Sequence, residues 1–188
     1  MSGRRTDTRQ RIQQVALELF SERGYDKTSL RELADRLEIT RPALYYHFKA
    51  KEDILTSVID DLNASMDELA TWAKNQPLTP EGRLAVLVRV AALLNDQWRP
   101  LLRFAQVNQS AMREVPAGST MQDRMMAMIS MLADPDSPPT EQFEAWLAVI
   151  ALLIGTMPFI VPSLTDQQRA DVSLDVAKKL LTHEPGSR

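Results

Sequence analysis

The stretch Thr28–Phe48, TSLRELADRLEITRPALYYHF, gathers the side chains best suited to binding anions. Arg41, Tyr45, Tyr46 and His47 set a cation, two phenols and an imidazole on what reads as one short helix. The set does not make a catalyst. His47 and His183 are the only two histidines and cysteine is absent, so there is no His/Cys metal-ligand cluster, no thiolate site and no disulfide. No Gly-rich phosphate loop and no nucleophile–base–acid pattern occurs. The chemistry fits phosphates and base edges in a DNA major groove, where a guanidinium reads guanine and hydroxyls reach phosphate. We expect no enzymatic activity, no cofactor and no metal.

That helix needs a scaffold, and the same stretch supplies one. Leu30, Leu33 and Ala34 form the inner face of a helix over Leu30–Leu37, and Ile39, Leu44 and Phe48 complete the inside of a helix-turn-helix. Ala34 stands where two crossing helices come closest. Ser29-Leu30-Arg31-Glu32 is a capping-box pattern, with Thr28 the rival cap. Thr40 caps the second helix, and Pro42 sits in its first turn, where its missing N–H does no harm. Upstream, Ile12, Val15, Ala16, Leu19 and Phe20 make an apolar stripe along a helix over Asp7–Arg23, ended by Gly24.

These pieces resemble a known family. From about Arg9 to Leu55 the chain is similar to the tetracycline-repressor (TetR) family of bacterial regulators. The matching residues are Ala16-Leu17-Glu18-Leu19-Phe20, Gly24-Tyr25, Thr28-Ser29-Leu30-Arg31-Glu32-Leu33-Ala34, Leu44-Tyr45-Tyr46-His47-Phe48 and Lys51, in ungapped spacing. The resemblance implies that Arg31 reaches a base or phosphate, and that Thr28 or Ser29, and Thr40, touch phosphate at helix starts. It implies that Arg41, Pro42 and Ala43 face base edges. Tyr45, Tyr46 and His47 would bind phosphates or base edges, and Lys51 a phosphate. Tyr45 and Tyr46 as partly buried aromatics, and Arg31 as a solvated helix charge, are the plainer readings. One residue departs from the family pattern: Glu38 holds the turn position where the family usually has Gly.

Beyond this quarter every long segment reads as helix. The fold class is all-α, with about nine helices. A three-helix DNA-binding domain over 1–50 precedes a helical ligand-binding and dimerisation domain over 51–188. Helices are expected over Lys51–Ala73, Leu84–Leu94, Trp98–Arg113, Thr120–Leu132, Thr140–Met157 and Gln167–Leu181. Met112, Met121, Met125, Met126, Met128 and Met131 cluster in sequence, and methionine suits adaptable apolar surfaces. Leu62, Met66, Trp98, Leu102, Phe104, Met125, Met128 and Trp146 are the candidate lining of an apolar effector cavity, with Gln106, Asn108 and Gln109 as polar groups. Composition alone favours a filled core; the resemblance favours a cavity. Arg89 lies on a weakly apolar, outward face and is left out.

The helix over Thr140–Met157 is apolar nearly all round, so both sides must be covered. Phe143, Trp146, Leu147, Ile150 and Ile154 are expected to face their own domain. Ala145, Val149, Leu152 and Leu153, with Val172, Val176 and Leu180 of the last helix, are expected to form a homodimer interface.

Net charge is −3, yet Met1–Lys51 holds eleven Lys/Arg against seven Asp/Glu and the remainder eleven against eighteen. A basic first quarter on an acidic body suits docking on DNA by one end. The polar N-terminus has no signal-peptide core, and the longest apolar run, Ala145–Ile154, is too short to span a bilayer, so a cytoplasmic protein without membrane contact is expected. The leading reading is a dimeric regulator, a repressor, that binds a palindromic operator in double-stranded DNA and is released by a small, mostly apolar effector. A transcriptional activator, or a helical dimeric interaction protein without effector, is the alternative.

Overall fold

The computed structural model describes residues 3–77, 79–108, 111, 132 and 136–182. Among them are eight α-helices and no strand: α1 Gly3–Arg23, α2 Leu30–Leu37, α3 Arg41–His47, α4 Lys51–Ala73, α5 Pro80–Leu93, α6 Arg99–Val107, α7 Pro139–Gly155 and α8 Asp166–Thr182. That is one fewer than the nine expected, because the helix expected over 120–132 falls largely outside the described residues. The expected gap between the fifth and sixth helices is filled by a π-helical turn, Leu94–Trp98. Helix α5 also starts earlier than expected. Thr79 caps it, accepting from the Gly82 N–H, and Pro80 occupies its first turn.

The chain divides into two compact units. One comprises the described residues of Met1–Leu62 and Pro100–Gly118, the other those of Asn63–Arg99 and Ser119–Arg188. This division into compact units runs along a different line from the functional boundary expected at residue 50. The amphipathic pattern of α4 carries no sign of the division, because one uninterrupted helix supplies residues to both units.

In the first unit Ile12, Ala16, Leu19 and Phe20 of α1, Leu33, Ala34 and Leu37 of α2, and Leu44, Phe48, Ile54 and Leu55 are buried. Gln13 donates to Ser57 Oγ at 2.9 Å and to Asp61 Oδ2 at 2.6 Å, pinning α1 to α4. Gly24 takes φ +90° and its N–H returns to the Phe20 carbonyl, a helix stop that favours glycine.

The segment from Pro100 enters this unit through an aromatic triad. Phe104 lies 6.0 Å from Phe20 and 5.9 Å from Tyr25 between ring centroids, and Phe20 and Tyr25 meet edge-on at 5.1 Å. Beside it Asn108 is buried. Its Oδ1 accepts the Tyr25 N–H at 2.6 Å, and its Nδ2 donates to the Phe20 and Phe104 carbonyls, each at 3.1 Å.

The second unit packs α7 against α8, with α5 alongside both. A Cβ at Gly155 would collide with Ser173 Oγ and Cβ, so α7 and α8 approach closely there. Arg83 of α5 pairs with Glu141 of α7 at 3.5 Å. No described helix is long and apolar enough to cross a membrane.

Asn108→Ala leaves the buried Tyr25 N–H without its partner, while the Phe20 and Phe104 carbonyls keep the backbone N–H groups of residues 24 and 108. It should cost roughly 1–3 kcal/mol in urea unfolding, whereas Ala at the exposed Gln106 should cost almost nothing. An Asn108→Ala loss as small as that at Gln106 would show that the amide bridges nothing.

Candidate nucleic-acid interface

Helix α2 opens on a complete capping box. Ser29 Oγ accepts the Glu32 N–H at 3.2 Å, and the Ser29 N–H donates to Glu32 Oε2 at 2.8 Å. Acceptance from the Ser29 backbone and hydroxyl, together with Arg23 at 3.3 Å, holds the Glu32 carboxyl below the usual carboxylate range. The box therefore contributes its stability above the ordinary carboxylate pKa and loses it as pH falls through the lowered one.

Of the rival caps, Ser29 takes the role. Thr28 is buried, and its hydroxyl donates to the Gly24 carbonyl at 2.9 Å. Thr28 as a phosphate contact is thus corrected: a hydroxyl tucked under α2 cannot reach solvent. Ser29 remains exposed.

The turn into α3 is closed by the Ile39 N–H on the Ala34 carbonyl at 3.1 Å and the Glu38 N–H on the Asp35 carbonyl at 3.2 Å. Glu38 sits at φ 56°, ψ 37°, the one left-handed non-glycine residue among those described. The sequence departure is thus accommodated without changing the turn; the residue adopts the conformation that glycine would take, at a cost.

Thr40 caps α3, its Oγ1 accepting the Ala43 N–H at 3.4 Å. Leu44 is fully buried and anchors the helix from beneath, and Phe48 ends it, buried, with the Arg9 guanidinium 4.8 Å from its ring centre. The opposite side faces out: Arg41, Pro42 and Ala43 are exposed, with Tyr45 43% and Tyr46 62% exposed. The two tyrosines are therefore not partly buried packing residues. His47 is half-buried, with its ring edge-on to Tyr46 at 5.3 Å. Arg31 on α2 is exposed.

Lys51 differs from a free surface cation. Its Nζ donates to the Tyr25 carbonyl at 2.6 Å and lies 4.4 Å from the Tyr25 ring centre. An ammonium has three donors, so one bond leaves capacity for an anion. Lys49, a cation that the sequence motif does not pick out, donates through Nζ to the Tyr45 carbonyl at 2.6 Å, at the exposed end of α3.

The residues expected to line an effector cavity are not all brought together. Phe104 and Leu62 are buried in the first unit, Phe104 within the aromatic triad, so both serve as core there. Asn108 is withdrawn as a ligand group for the same reason. In the second unit Met66 is buried, and Trp98 and Trp146 are half-buried. Leu102 is half-buried in the first. Met125 and Met128, like the other methionines of 112–131 and Gln109, lie outside the described residues. Arg89 is exposed, as expected, with its guanidinium 4.5 Å over the Trp72 ring.

The expected sides of α7 are reversed. Ala145, Val149 and Leu152 are buried within the single chain and so cannot be offered to a partner. Phe143 is 64% exposed, and Ile150 and Ile154 are exposed with it, as are Val172 and Val176 of α8. Leu153 and Leu180 are half-buried. An all-round apolar helix gives no pattern from which to choose a side. The usable signal was size: Ala145, Ala148 and Gly155 are small where α7 packs inward, and the outward positions are large.

Residues 12–58 match the sequence profile of the tetR family of bacterial regulatory proteins. The HTH-type transcriptional regulator AcrR of Shigella flexneri is 43% identical over 100 residues, covering 51% of this chain and 46% of that protein. The match thus spans less than half the length of this curated relative. The TetR-family regulator PfmR of Thermus thermophilus superposes with a TM-score of 0.61 over 91% of this chain and 97% of its own, at 18% identity. AibR, solved in complex with isovaleryl coenzyme A and operator DNA, superposes with a TM-score of 0.53 over 88% of this chain and 95% of its own, at 20% identity.

Glu38→Gly should stabilise the protein by about 1 kcal/mol, since it removes the penalty of a side chain in the left-handed region. Urea unfolding measures it. A variant no more stable than the parent would mean that the turn carries no such strain.

Proposed function

We propose that this chain, a member of the tetR family of bacterial regulatory proteins, is a cytoplasmic transcriptional repressor that binds a palindromic operator as a homodimer and leaves it on binding a small, mostly apolar effector. It works by binding and not by catalysis. The observation that carries the reading is the outward face of α3. Arg41, Pro42, Ala43, Tyr45 and Tyr46 are exposed together on a helix that Leu44 fixes from below. Arg41 at the helix start is suited to a guanine edge, Pro42 and Ala43 to thymine methyls, and Tyr45, Tyr46 and His47 to phosphates or base edges. Arg31, Ser29, Thr40 and the spare donors of Lys51 add phosphate contacts around them.

The dimer is supported by the exposed stripe Phe143, Ile150 and Ile154 on α7 with Val172 and Val176 on α8. A second copy related by a two-fold axis would cover it, and the two-fold symmetry of such a dimer matches that of a palindromic site. A dimer seated on an operator blocks access to that DNA, which makes repression the simpler outcome; a reporter gene activated by the protein would favour the activator reading. Met66, Trp98 and Trp146 in the second unit support an apolar effector.

Selection from random duplexes at low salt should yield a palindrome whose affinity falls steeply with salt. If no duplex is bound above background, the assignment fails. On the selected site Tyr46→Ala should weaken binding to every sequence alike. Arg41→Ala should relax base preference at one position per half-site, by about 1–3 kcal/mol. Uniform loss across operator variants for Arg41→Ala would demote it to a phosphate contact.

Ile154→Arg places a charge on the exposed stripe and should give a folded monomer by light scattering and circular dichroism. A stable Ile154→Arg dimer would place the interface elsewhere.

A further inference from the structure

The last carbonyls of a helix have no partner within it, and another donor must satisfy them. At the end of α3 that donor is a charged side chain. Had the helix continued, the Lys49 N–H would have met the Tyr45 carbonyl. The chain instead turns extended at Phe48, with φ −139° and ψ 131°. The Lys49 N–H then goes forward to Asp53 Oδ2 on α4 at 3.0 Å, beside the Ala50 N–H on the same oxygen at 2.9 Å. The Lys49 side chain doubles back, and its Nζ donates to the Tyr45 carbonyl at 2.6 Å. One residue thus joins α4 through its backbone and α3 through its ammonium.

A lysine at a helix C-terminus can be a cap and nothing more. The charges around Lys49 point further. Arg23 and Arg36 in the same unit are paired with carboxylates, Arg23 with Glu32 at 3.3 Å and Arg36 with Glu22 at 3.7 Å. Lys49 has no carboxylate within ion-pair distance among the described residues, and in this it matches Arg31, Arg41 and Lys51. Asp53, the acid that its backbone meets, turns Oδ2 to two backbone N–H groups. An ammonium has three donors, and the Tyr45 carbonyl takes one. Lys49 is exposed, and its Nζ is held against the turn of α3 that presents Tyr45 and Tyr46 to solvent. An unpaired positive charge is thus fixed in place, with donors to spare, at the end of the helix that carries the candidate DNA contacts.

We propose that Lys49 is a further phosphate contact of the nucleic-acid interface, its ammonium prepositioned by the cap on Tyr45 and its spare donors taken by a backbone phosphate oxygen. The inference rests on the DNA-binding function proposed for the chain and adds a residue to its contacts. A phosphate has the same chemistry at every base pair, so Lys49 contributes affinity and register and no base preference. Neutralising a phosphate also releases a condensed counterion, and each such contact adds about 0.9 to the slope of log affinity against log salt. A cap that touches no DNA adds nothing to that slope.

The test uses the full chain and the palindrome selected from random duplexes, with affinity read by fluorescence anisotropy over a range of KCl concentrations. Lys49→Gln keeps an N–H donor for the Tyr45 carbonyl and removes the charge. It should fold as the parent does by circular dichroism and bind on the order of tenfold more weakly at low salt, the scale of one charged hydrogen bond. Its salt slope should be smaller than the parent's by about 0.9 for each chain bound. The weakening should be equal on single-base variants of the palindrome. Lys49→Arg keeps the charge and should restore the slope. Lys74→Gln, which removes an exposed charge from the second unit, should keep the parent's slope. A Lys49→Gln protein with the parent's slope overturns the contact, whatever its melting temperature, and leaves Lys49 a cap. A slope that Lys49→Arg does not restore, or one that falls equally in Lys74→Gln, overturns it as well. These results leave the DNA-binding reading standing, whereas a parent protein that binds no duplex defeats that reading and the Lys49 contact together.

Discussion

The Asn108 amide accepts the Tyr25 N–H and donates to the Phe20 and Phe104 carbonyls, and the bonds to Tyr25 and Phe20 close the connection between α1 and α2. Gly24 turns the chain with a left-handed backbone, so the helical bonding that would satisfy neighbouring groups stops there. The partner of the Tyr25 N–H arrives from more than eighty residues downstream. Lys51 caps the same connection from α4, through the Tyr25 carbonyl and ring. Tyr25 therefore has both backbone groups and its ring engaged by residues distant in sequence. Thr28 and the capping box of α2, next along the chain, inherit their position from that fixed point. The helix-turn-helix unit is thus not closed by its first fifty residues: Phe104 and Asn108 are structural members of it.

The same arrangement changes how several polar residues should be understood. Thr28 and Lys51 have the residue types expected at a phosphate, yet one is buried and the other is partly occupied. A lysine that already donates to a carbonyl is held in one place and has lost much of its side-chain freedom before any anion arrives. The entropy of ordering a long side chain is then met on folding and not on binding. Tyr45 and Tyr46 reach the same end by another route, since a phenol has few rotatable bonds. The proposed contact surface is therefore stiff, with Arg31 and Arg41 as its flexible members.

The local signals were legible from sequence because they are local. Ser29 with Glu32, Thr40 with Pro42, and the buried set Leu33, Ala34 and Leu44 sit within a few residues of one another, and each has a direct physical reading. The early start of α5 has a local signal too: Thr79-Pro80 is a cap followed by a first-turn proline, ahead of the apolar run. The role of Asn108 was not legible. A polar residue after a helix of mixed character looks like a surface or ligand group, and its true partners are fixed by tertiary packing. The division of α4 between two units was hidden for a related reason, as an amphipathic stripe looks the same whichever neighbours cover it.

Helix α7 shows why composition decides burial but not direction. Its mean character is apolar on every side, so hydrophobicity alone fits either orientation. Packing breaks the tie. Two helices approach closely only where side chains are small, and Gly155 against Ser173 leaves no room even for a methyl group. Turning Ala145, Ala148 and Gly155 inward lets α7 and α8 close on each other, and the bulk of Phe143, Ile150 and Ile154 is then obliged to face out. The small face thus makes the fold of one chain, and the large face is left as surface. A contiguous apolar stripe on two packed helices is unfavourable in water and is most simply relieved by a like stripe. The proposed dimer is then a consequence of how α7 and α8 meet within each chain. A larger residue at position 155 or 173 would disturb assembly by first disturbing that meeting.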